Sequence, residues 1–340
     1  VAVIDIGASS IRMAIGEIDQ DGQVRTLETL TQAVNLGKDT FTEGSIRKAT
    51  IEECVEVLSS YRQVLNEYRI DKPERIGVVA TRAVRGARKS LAFIDRVFIA
   101  TGMEVDPIDE AEVNRVTYLG IQPYLRSEPE MASARTLIIE VGGGSTEVLL
   151  VRGGNVVMAH TFRLGSMRLR QSLATYRTSN LKIRKIMENQ IERTAEEVRQ
   201  QVTQDGPIEM IALGGDIRFA AAQILPDWQP DRLTRLPVDS LETFTDQILN
   251  MSDDRIVHRY HLSFPDAETV GPALLTYIQL AKVFGLTDLM VTNTNLRDGL
   301  LKEMASRHTW TEEFRQQIIR SALNLGRKYD FDEAHACHVA

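Results

Sequence analysis

Residues 136–151 contain two short apolar runs that are separated by three consecutive glycines at 142–144. The runs are rich in leucine and β-branched residues and are too short for helices, so they predict two strands joined by a tight turn. Glycine lets backbone N–H groups come close to an anion, and Ser145 and Thr146 add hydroxyl donors. The stretch therefore predicts a β-hairpin able to hold a phosphate group, with a glycine-rich turn without a ligand as the alternative.

Residues 1–16 repeat the same order of features. An apolar strand carries Asp5, the turn begins at Gly7, Ser9 and Ser10 supply hydroxyls, and a second apolar strand follows. A carboxylate beside such a turn suits a site for Mg²⁺ and phosphate together, because Mg²⁺ prefers carboxylate, water and phosphate oxygens. Asp5 by itself could equally cap the turn. Two hairpins of one design favour a site built from both.

Composition limits the class of protein. A chain of 340 residues predicts two or three domains. Its 43% hydrophobic and 26% charged residues are typical of a soluble globular protein, and we expect no membrane segment. Two cysteines fit a reducing cytoplasm. A net charge of −7 argues against general nucleic-acid binding, although it leaves room for a local polyanion site.

Basic residues are concentrated in two places. The segment that follows a predicted strand at 76–80 opens a helix with several arginines, of which Arg85 is a candidate phosphate ligand. Arg82 and Arg88 are expected on a solvated helix end. Residues 148–187 contain no acid but eight lysines and arginines, which indicates either a path for a polyanion or a solvated face.

Three further segments organise the chain. Residues 44–68 have the apolar spacing of a long amphipathic helix. A helix is also predicted at 108–120, with Glu110 and Glu112 in a first turn where acids ordinarily complement the helix dipole. Residues 122–134 carry two prolines and predict a connection between domains.

These hairpins, the Arg85 segment and residues 115–120 and 296–300 together resemble the exopolyphosphatase and guanosine pentaphosphate phosphohydrolase (Ppx/GppA) family. The family belongs to the actin, Hsp70 and sugar-kinase superfamily, and the resemblance covers essentially the whole chain. It implies an α/β fold of two ribonuclease-H-like domains around a central cleft. The expected domains are 1–124, with 296–306 packing back on it, 125–295, and the start of a truncated C-terminal helical HD-like domain at 307–340.

The resemblance also implies a site. It makes linear polyphosphate or a guanosine polyphosphate the substrate, Mg²⁺ the cofactor with a monovalent cation as a possible second one, and a homodimer the expected assembly. Glu147 would be the acid near the metal, with Asp5 and Glu140 as further metal ligands. The expected phosphate-binding residues are Gly7, Ser9, Ser10, Arg85, Gly143, Gly144, Ser145, Thr146, Gly214 and Gly215.

The chain departs from the family pattern at three positions. Ser9 replaces a usual asparagine, and Glu140 replaces a usual aspartate. The general-base glutamate of the family falls on Val113, which can do no acid–base chemistry. Glu112 is one residue away, which on a helix is a rotation of about 100°. We therefore expect either that the helix start is reset so that Glu112 takes the role of the base, or that water activation is weak. Glu112 and Glu147 are the candidate catalytic residues.

Three functions follow from this pattern. The first is a phosphohydrolase that releases terminal phosphate with the help of Mg²⁺. The second is a catalytically impaired relative that binds polyphosphate or a guanosine polyphosphate as a sensor. The third, an ATP-using kinase or chaperone of the same fold, is disfavoured because the resemblance extends to the Arg85 segment and to the helical tail.

Overall fold

The computed structural model describes residues 1–127, 135–173, 180–202 and 206–306, and, near the end of the chain, 319, 322–323, 326–327, 329 and 331–339. Most of the predicted helical domain at 307–340, and the last part of the predicted connection, at 128–134, lie outside these residues. Each helix in the described part of the chain is too short or too polar to span a bilayer.

The first sheet has five strands: β1 Ala2–Ile6, β2 Ser10–Ile18, β3 Val24–Ala33, β4 Ile76–Ala80 and β5 Asp106–Pro107. Their order in the sheet is β3-β2-β1-β4-β5. β1 pairs antiparallel with β2 and parallel with β4. Every residue of β1 is buried, including Asp5 among its apolar neighbours.

The second sheet has six strands: β6 Arg135–Val141, β7 Thr146–Arg152, β8 Asn155–Phe162, β9 Ile208–Leu213, β10 Thr234–Pro237 and β11 Asp288–Val291. Their order is β10-β11-β9-β6-β7-β8. β6 pairs antiparallel with β7 and parallel with β9, as β1 does with β2 and β4. The two sheets therefore repeat one strand pattern, which agrees with the α/β fold of two similar halves that the family resemblance implies.

The described residues also form α-helices. They are α1 Leu36–Glu43, α2 Lys48–Glu67, α3 Arg82–Arg85, α4 Ser90–Thr101, α5 Glu110–Ser127, α6 Ser166–Leu173, α7 Asn180–Gln201, α8 Gly215–Ile224, α9 Val238–Leu249, α10 Asp253–Tyr260, α11 Phe264–Val283, α12 Leu296–Ser306 and α13 Glu333–Val339.

Two predicted boundaries are wrong. The long helix expected at 44–68 begins only at Lys48, because Gly44, at φ 67°, ends the preceding helix α1 in a left-handed conformation. The connection expected at 122–134 is helical as far as Ser127, since α5 continues through Pro123. Packing of the α5 residues on both sides of this proline outweighs the hydrogen bond that proline removes.

Helix α5 lies between the two sheets. Its residue Val116 packs with the first sheet and α12, whereas Ile121 and Leu125 pack with the second sheet. A Cβ on Gly299 of α12 would lie 2.0 Å from the Val116 carbonyl oxygen, so glycine is required for the two helices to cross this closely. The first turns of α5 and α12 are thereby brought to the cleft between the sheets.

Candidate functional site

Two tight turns of matching geometry lie in the cleft. In the first turn, at 7–10, the Gly7 N–H donates to the Ser10 carbonyl at 3.0 Å. In the second, at 142–145, the Gly142 N–H donates to the Ser145 carbonyl at 2.8 Å. The same four-residue turn therefore joins β1 to β2 in one sheet and β6 to β7 in the other.

The two turns approach each other closely. A Cβ on Gly143 would lie 3.3 Å from the Cβ of Ala8, whose carbonyl accepts from the Gly37 N–H at 2.7 Å. A Cβ on Gly144 would lie 2.3 Å from the ring of Phe41, so this ring packs there only against glycine. The second turn is consequently bordered by α1 from the first half of the chain.

Most of the residues predicted to form the site line one cleft of about 270 Å³. They converge because both glycine turns and the turn after β9 lie at the same edges of the two sheets. The predicted residues that line it are Asp5, Gly7, Ser9, Ser10, Arg85, Glu140, Gly143, Gly144, Ser145, Glu147, Gly214 and Gly215.

Tyr277 holds together the two strand ends behind the second turn. This tyrosine of α11 is fully buried. Its hydroxyl accepts from the Val141 N–H at 2.9 Å and donates to the Leu213 carbonyl. Gly214 follows at φ 118°, and a Cβ there would lie only 3.1 Å from the hydroxyl. Sequence reasoning missed Tyr277, because an apolar helix gives no sign of which strand ends its tyrosine contacts.

Thr146 does not contact the cleft, which corrects the prediction that its side chain binds phosphate. The residue is 1% exposed. Its hydroxyl donates to the Leu164 carbonyl at 2.5 Å. Thr146 follows Ser145 in an extended strand, where neighbouring side chains point to opposite faces. Only one of the two hydroxyls can therefore face the cleft.

Glu112 also lies away from the cleft, which corrects its expected position as a replacement base. Its carboxylate accepts two hydrogen bonds from Arg115, at 2.8 and 2.5 Å. Arg115 in turn bonds Glu303 of α12 at 2.5 Å. Glu112 is thus part of the contact between α5 and α12.

Glu110 is the carboxylate of α5 that lines the cleft, together with Val113. Residues three apart on a helix share a face, whereas adjacent residues do not. Glu110 Oε1 accepts from Arg85 at 3.1 Å and lies 3.4 Å from a guanidinium nitrogen of Arg82. Helical spacing from Val113 was the signal that could have identified Glu110.

The arginines of the basic segment that begins with α3 lie in different environments. Arg85 donates to the Ile108 carbonyl at 2.7 Å while it lines the cleft. Arg82 also lines the cleft, so its expected position on a solvated helix end is wrong. Arg88 is exposed and donates to the Glu43 carbonyl, as a residue of a solvated helix end does.

Glu140 and Glu147 are directly opposite each other on β6 and β7. Burial raises the pKa of both carboxyls. For Glu147 the pKa rises to about 7, with a smaller contribution from the charge of Glu140, although the Ser145 hydroxyl donates to its carboxylate at 2.7 Å. Two adjacent half-buried acids with raised pKa values are an arrangement that a bound cation would stabilise.

The third predicted metal ligand, Asp5, has a partner in the chain. Arg297 of α12 lies 3.4 Å from its carboxylate, and both side chains are 9% exposed. Among the residues that the structure describes, no three His, Cys, Asp or Glu side chains are grouped closely enough to hold a metal ion. Glu140 and Glu147 are the two facing carboxylates that could hold Mg²⁺, while Asp5 is paired with an arginine.

Arg12 is a cleft cation that sequence reasoning missed. It lies opposite Asp5 in the register of β1 and β2, and it lines the cleft. Burial and the charge of the nearby Asp266 raise the pKa of Asp216, at the start of α8, to about 7. The charge of Arg12 acts in the opposite direction and lowers this pKa. Strand alternation places Arg12 on the same face as Ser10, which was the available signal.

A profile of the Ppx/GppA phosphatase family matches residues 14–308, well over half of the chain. The chain belongs to the Ppx/GppA phosphatase family. This confirms the resemblance that rests on the two hairpins, the Arg85 segment and residues 296–300.

Curated relatives of this Ppx/GppA chain include two kinds of protein. The guanosine-5'-triphosphate,3'-diphosphate pyrophosphatase of Photobacterium profundum is 21% identical over 340 residues, which are 99% of this chain and 65% of the relative. The bifunctional 3-dehydroquinate synthase/phosphatase of Fusobacterium nucleatum is 27% identical over 172 residues, 49% of this chain and 25% of that protein. The chain thus spans at most 65% of the length of these relatives.

Solved structures of the Ppx/GppA type share the fold. An exopolyphosphatase from Cytophaga hutchinsonii matches with a TM-score of 0.81 at 20% identity, covering 90% of this chain and 97% of that one. The Ppx/GppA family member of Aquifex aeolicus matches with a TM-score of 0.72 at 22% identity, covering 91% and 98%. These matches confirm the predicted actin-like fold of two α/β halves.

Proposed function

We propose that this chain is a phosphohydrolase that removes terminal phosphate from inorganic polyphosphate or guanosine pentaphosphate by attack of water, with Mg²⁺ as cofactor. The observation that carries the proposal is that two glycine turns meet in one cleft with Arg12, Arg82 and Arg85. Turn N–H groups and guanidinium groups are the donors that hold phosphoryl oxygens. The predicted cytoplasmic location and homodimer go with this activity and remain predictions.

Binding of the terminal phosphate is assigned to the two turns. The Ser10 hydroxyl is buried and has no hydrogen-bond partner among the described residues, so it is a donor available to a ligand oxygen. N–H groups at 143 and 144 lie on the facing turn. Arg12 and Arg85 then offset the phosphate charge from two sides, which positions the phosphorus atom between the turns.

Glu140 and Glu147 are the carboxylates that would hold Mg²⁺. The ion, when bound, supplies positive charge to the phosphoryl oxygens and to the leaving phosphate. Both carboxyls would be ionised at neutral pH beside such an ion, since a nearby cation lowers a carboxyl pKa. Glu140 and Glu147 would hold the ion at the strand ends that flank the second turn.

We assign the orientation of the attacking water to Glu110, the carboxylate of α5 that lines the cleft. It lies on the wall formed by α3 and α5, beside the arginines that contact the phosphate, and one helical turn from Val113. Loss of such a group typically costs about 10²- to 10⁴-fold in rate. We expect Glu110→Gln to lower kcat by about 100-fold, and Glu112→Gln, which alters only the contact with Arg115, to retain kcat within a few-fold.

The test is release of phosphate from long-chain polyphosphate and from guanosine pentaphosphate, each with Mg²⁺ and with EDTA. Release that requires Mg²⁺ and falls in Glu110→Gln supports the proposal. A purified protein that releases phosphate from neither substrate rejects it. Activity that survives in Glu110→Gln but is lost in Glu112→Gln would instead return the role of the base to Glu112.

The second candidate is a sensor that binds the same ligands without turnover. The observation in its favour is that Val113, an apolar side chain, lines the cleft on α5 at the position where the family has its base. A sensor would bind polyphosphate with micromolar affinity without releasing phosphate, and Val113→Glu would create release. Turnover by the native chain that disappears in Glu110→Gln excludes the sensor.

A further inference from the structure

Arg115 joins the two helices that meet between the sheets. It lies on α5, its side chain is only 6% exposed, and it donates to Glu303 of α12 at 2.5 Å. Within α5 it also donates two hydrogen bonds to Glu112. Burial alone would lower the pKa of Arg115, but its hydrogen bonds and the charges of both glutamates raise it. In this buried contact Glu303 supplies the bond between the helices, because Arg115 and Glu112 both belong to α5.

The contact lies at the beginning of α5. Glu112 is the third residue of this helix, and its backbone N–H donates to the Asp109 side chain at 2.8 Å. On the cleft side, Arg85 of α3 donates to the Ile108 carbonyl at 2.7 Å. The first turn of α5 is thus held from one side by α3 and from the other by α12.

The rotation of this first turn decides which carboxylate faces the cleft. Successive residues of a helix are rotated by about 100°, so the side chains of Glu110 and Glu112 point about 160° apart. Glu112 is bound to Arg115, whereas Glu110 lines the cleft beside Arg85. A misplacement of about 1 Å can cost about 100-fold in rate, so a group that acts on substrate depends on this rotation.

A second contact between α5 and α12 lies further from the cleft. Lys302, the neighbour of Glu303 on α12, donates to the Gly120 carbonyl at 2.8 Å. Gly120 is five residues beyond Arg115, which is about one and a half helical turns further from Glu110. Lys302 and Glu303 therefore both join the two helices, but Glu303 does so nearer to the first turn of α5.

We propose that Glu303, through Arg115, is a positioning residue that holds the first turn of α5 so that Glu110 faces the phosphoryl group. This inference rests on the proposed function, in which Glu110 orients the attacking water. In the described part of the chain, the residues that line the cleft include Glu110 but neither Arg115 nor Glu303. Both therefore act on the reaction through Glu110 and make no contact with substrate.

The kinetic test measures phosphate release by Glu303→Ala, Glu110→Gln and the double variant. We expect Glu303→Ala to lower kcat about tenfold and to leave KM within about twofold, because the glycine turns and the arginines of the cleft still bind substrate. In the Glu110→Gln background the same change should lower kcat less than about twofold, since its effect passes through Glu110. Glu303→Gln keeps an oxygen acceptor for Arg115 and should recover part of the lost kcat.

Lys302→Ala is the matched control, because it removes the other hydrogen bond from the adjacent position of α12. It should leave kcat within about twofold of the native value, even though it weakens the same helix crossing. Hydrogen exchange of the Val113 N–H, which donates to the Asp109 carbonyl at 2.9 Å, is the second readout. This exchange should be faster in Glu303→Ala than in Lys302→Ala or the native chain.

Three results would overturn the inference. They are an equal loss of kcat in Glu303→Ala and Lys302→Ala, additive effects of Glu303→Ala and Glu110→Gln, and unchanged exchange of the Val113 N–H in Glu303→Ala. Failure of the proposed function gives a different pattern. In that case the native chain releases no phosphate from either substrate, which also rejects a role of Glu303 in water attack, while exchange at Val113 still reports whether Glu303 holds the turn.

Discussion

Replacing Glu147 by glutamine should stabilise the protein at pH 8 and remove part of its response to Mg²⁺. Burial and the charge of Glu140 raise the pKa of Glu147 from 4.5 to about 7. A group whose pKa is higher in the folded than in the unfolded state contributes its full stabilisation below the unfolded pKa and loses it as the pH rises through the folded pKa. For Glu147 the stabilisation is therefore complete below pH 4.5 and is lost as the pH rises through about 7. The difference between the two values corresponds to about 3 kcal/mol.

Urea unfolding at pH 5 and pH 8 measures this effect. Between these two values we expect the free energy of unfolding of the native chain to fall by about 2 to 3 kcal/mol relative to that of Glu147→Gln. Millimolar Mg²⁺ at pH 8 should restore stability to the native chain and much less to the variant, because the ion stabilises the ionised carboxyl pair. Glu104→Gln, at an exposed position, is the control.

The reasoning fails if the native chain and Glu147→Gln respond to pH in the same way, since the pKa of this carboxyl would then not be raised in the folded state. Equal stabilisation of both proteins by Mg²⁺ would remove Glu147 from the proposed metal site. The control variant should follow the native chain in both measurements.

Two further predictions concern the second turn. Tyr277→Phe leaves two buried backbone groups without their hydrogen-bond partner and should lower the free energy of unfolding by about 1 to 3 kcal/mol. The effect should exceed that of Tyr61→Phe, which loses only one hydrogen bond, of 2.9 Å, to a backbone carbonyl. Urea unfolding compares them, and an equal effect would contradict the double role of Tyr277. Gly144→Ala should cost about 1 to 3 kcal/mol by collision with Phe41, and Phe41→Ala should relieve most of this cost. Thermal unfolding of both single variants and of the double variant measures the coupling between positions 144 and 41, and additive effects would refute the predicted collision. Gly77→Ala is the control and should be tolerated, because a Cβ there would lie 3.7 Å from its nearest atom.

The paired hairpins could be predicted because their signals are local. Apolar strands, a terminal acid and a glycine turn with hydroxyls are contiguous in sequence, and their geometry depends on the backbone preferences of a few residues. Gly7 and Gly142 accordingly close turns with the same hydrogen bond. The helix α5 was also predicted, although its end was not, because packing on both sheets extends it beyond the proline.

Which charged side chains face the cleft was decided by the tertiary structure. Asp5 and Arg297 are 292 residues apart in sequence and form a buried ion pair only because α12 packs back on the first sheet. Glu112, next to the position of the expected base, is turned away by Arg115, while Glu110 is brought in by helical geometry. The sequence by itself determined the two glycine turns that we propose bind phosphate, since each is formed by neighbouring residues. Only the packing of α5 and α12 between the sheets determined which carboxylates and arginines those turns meet, because long-range contacts set the orientation of each helix face.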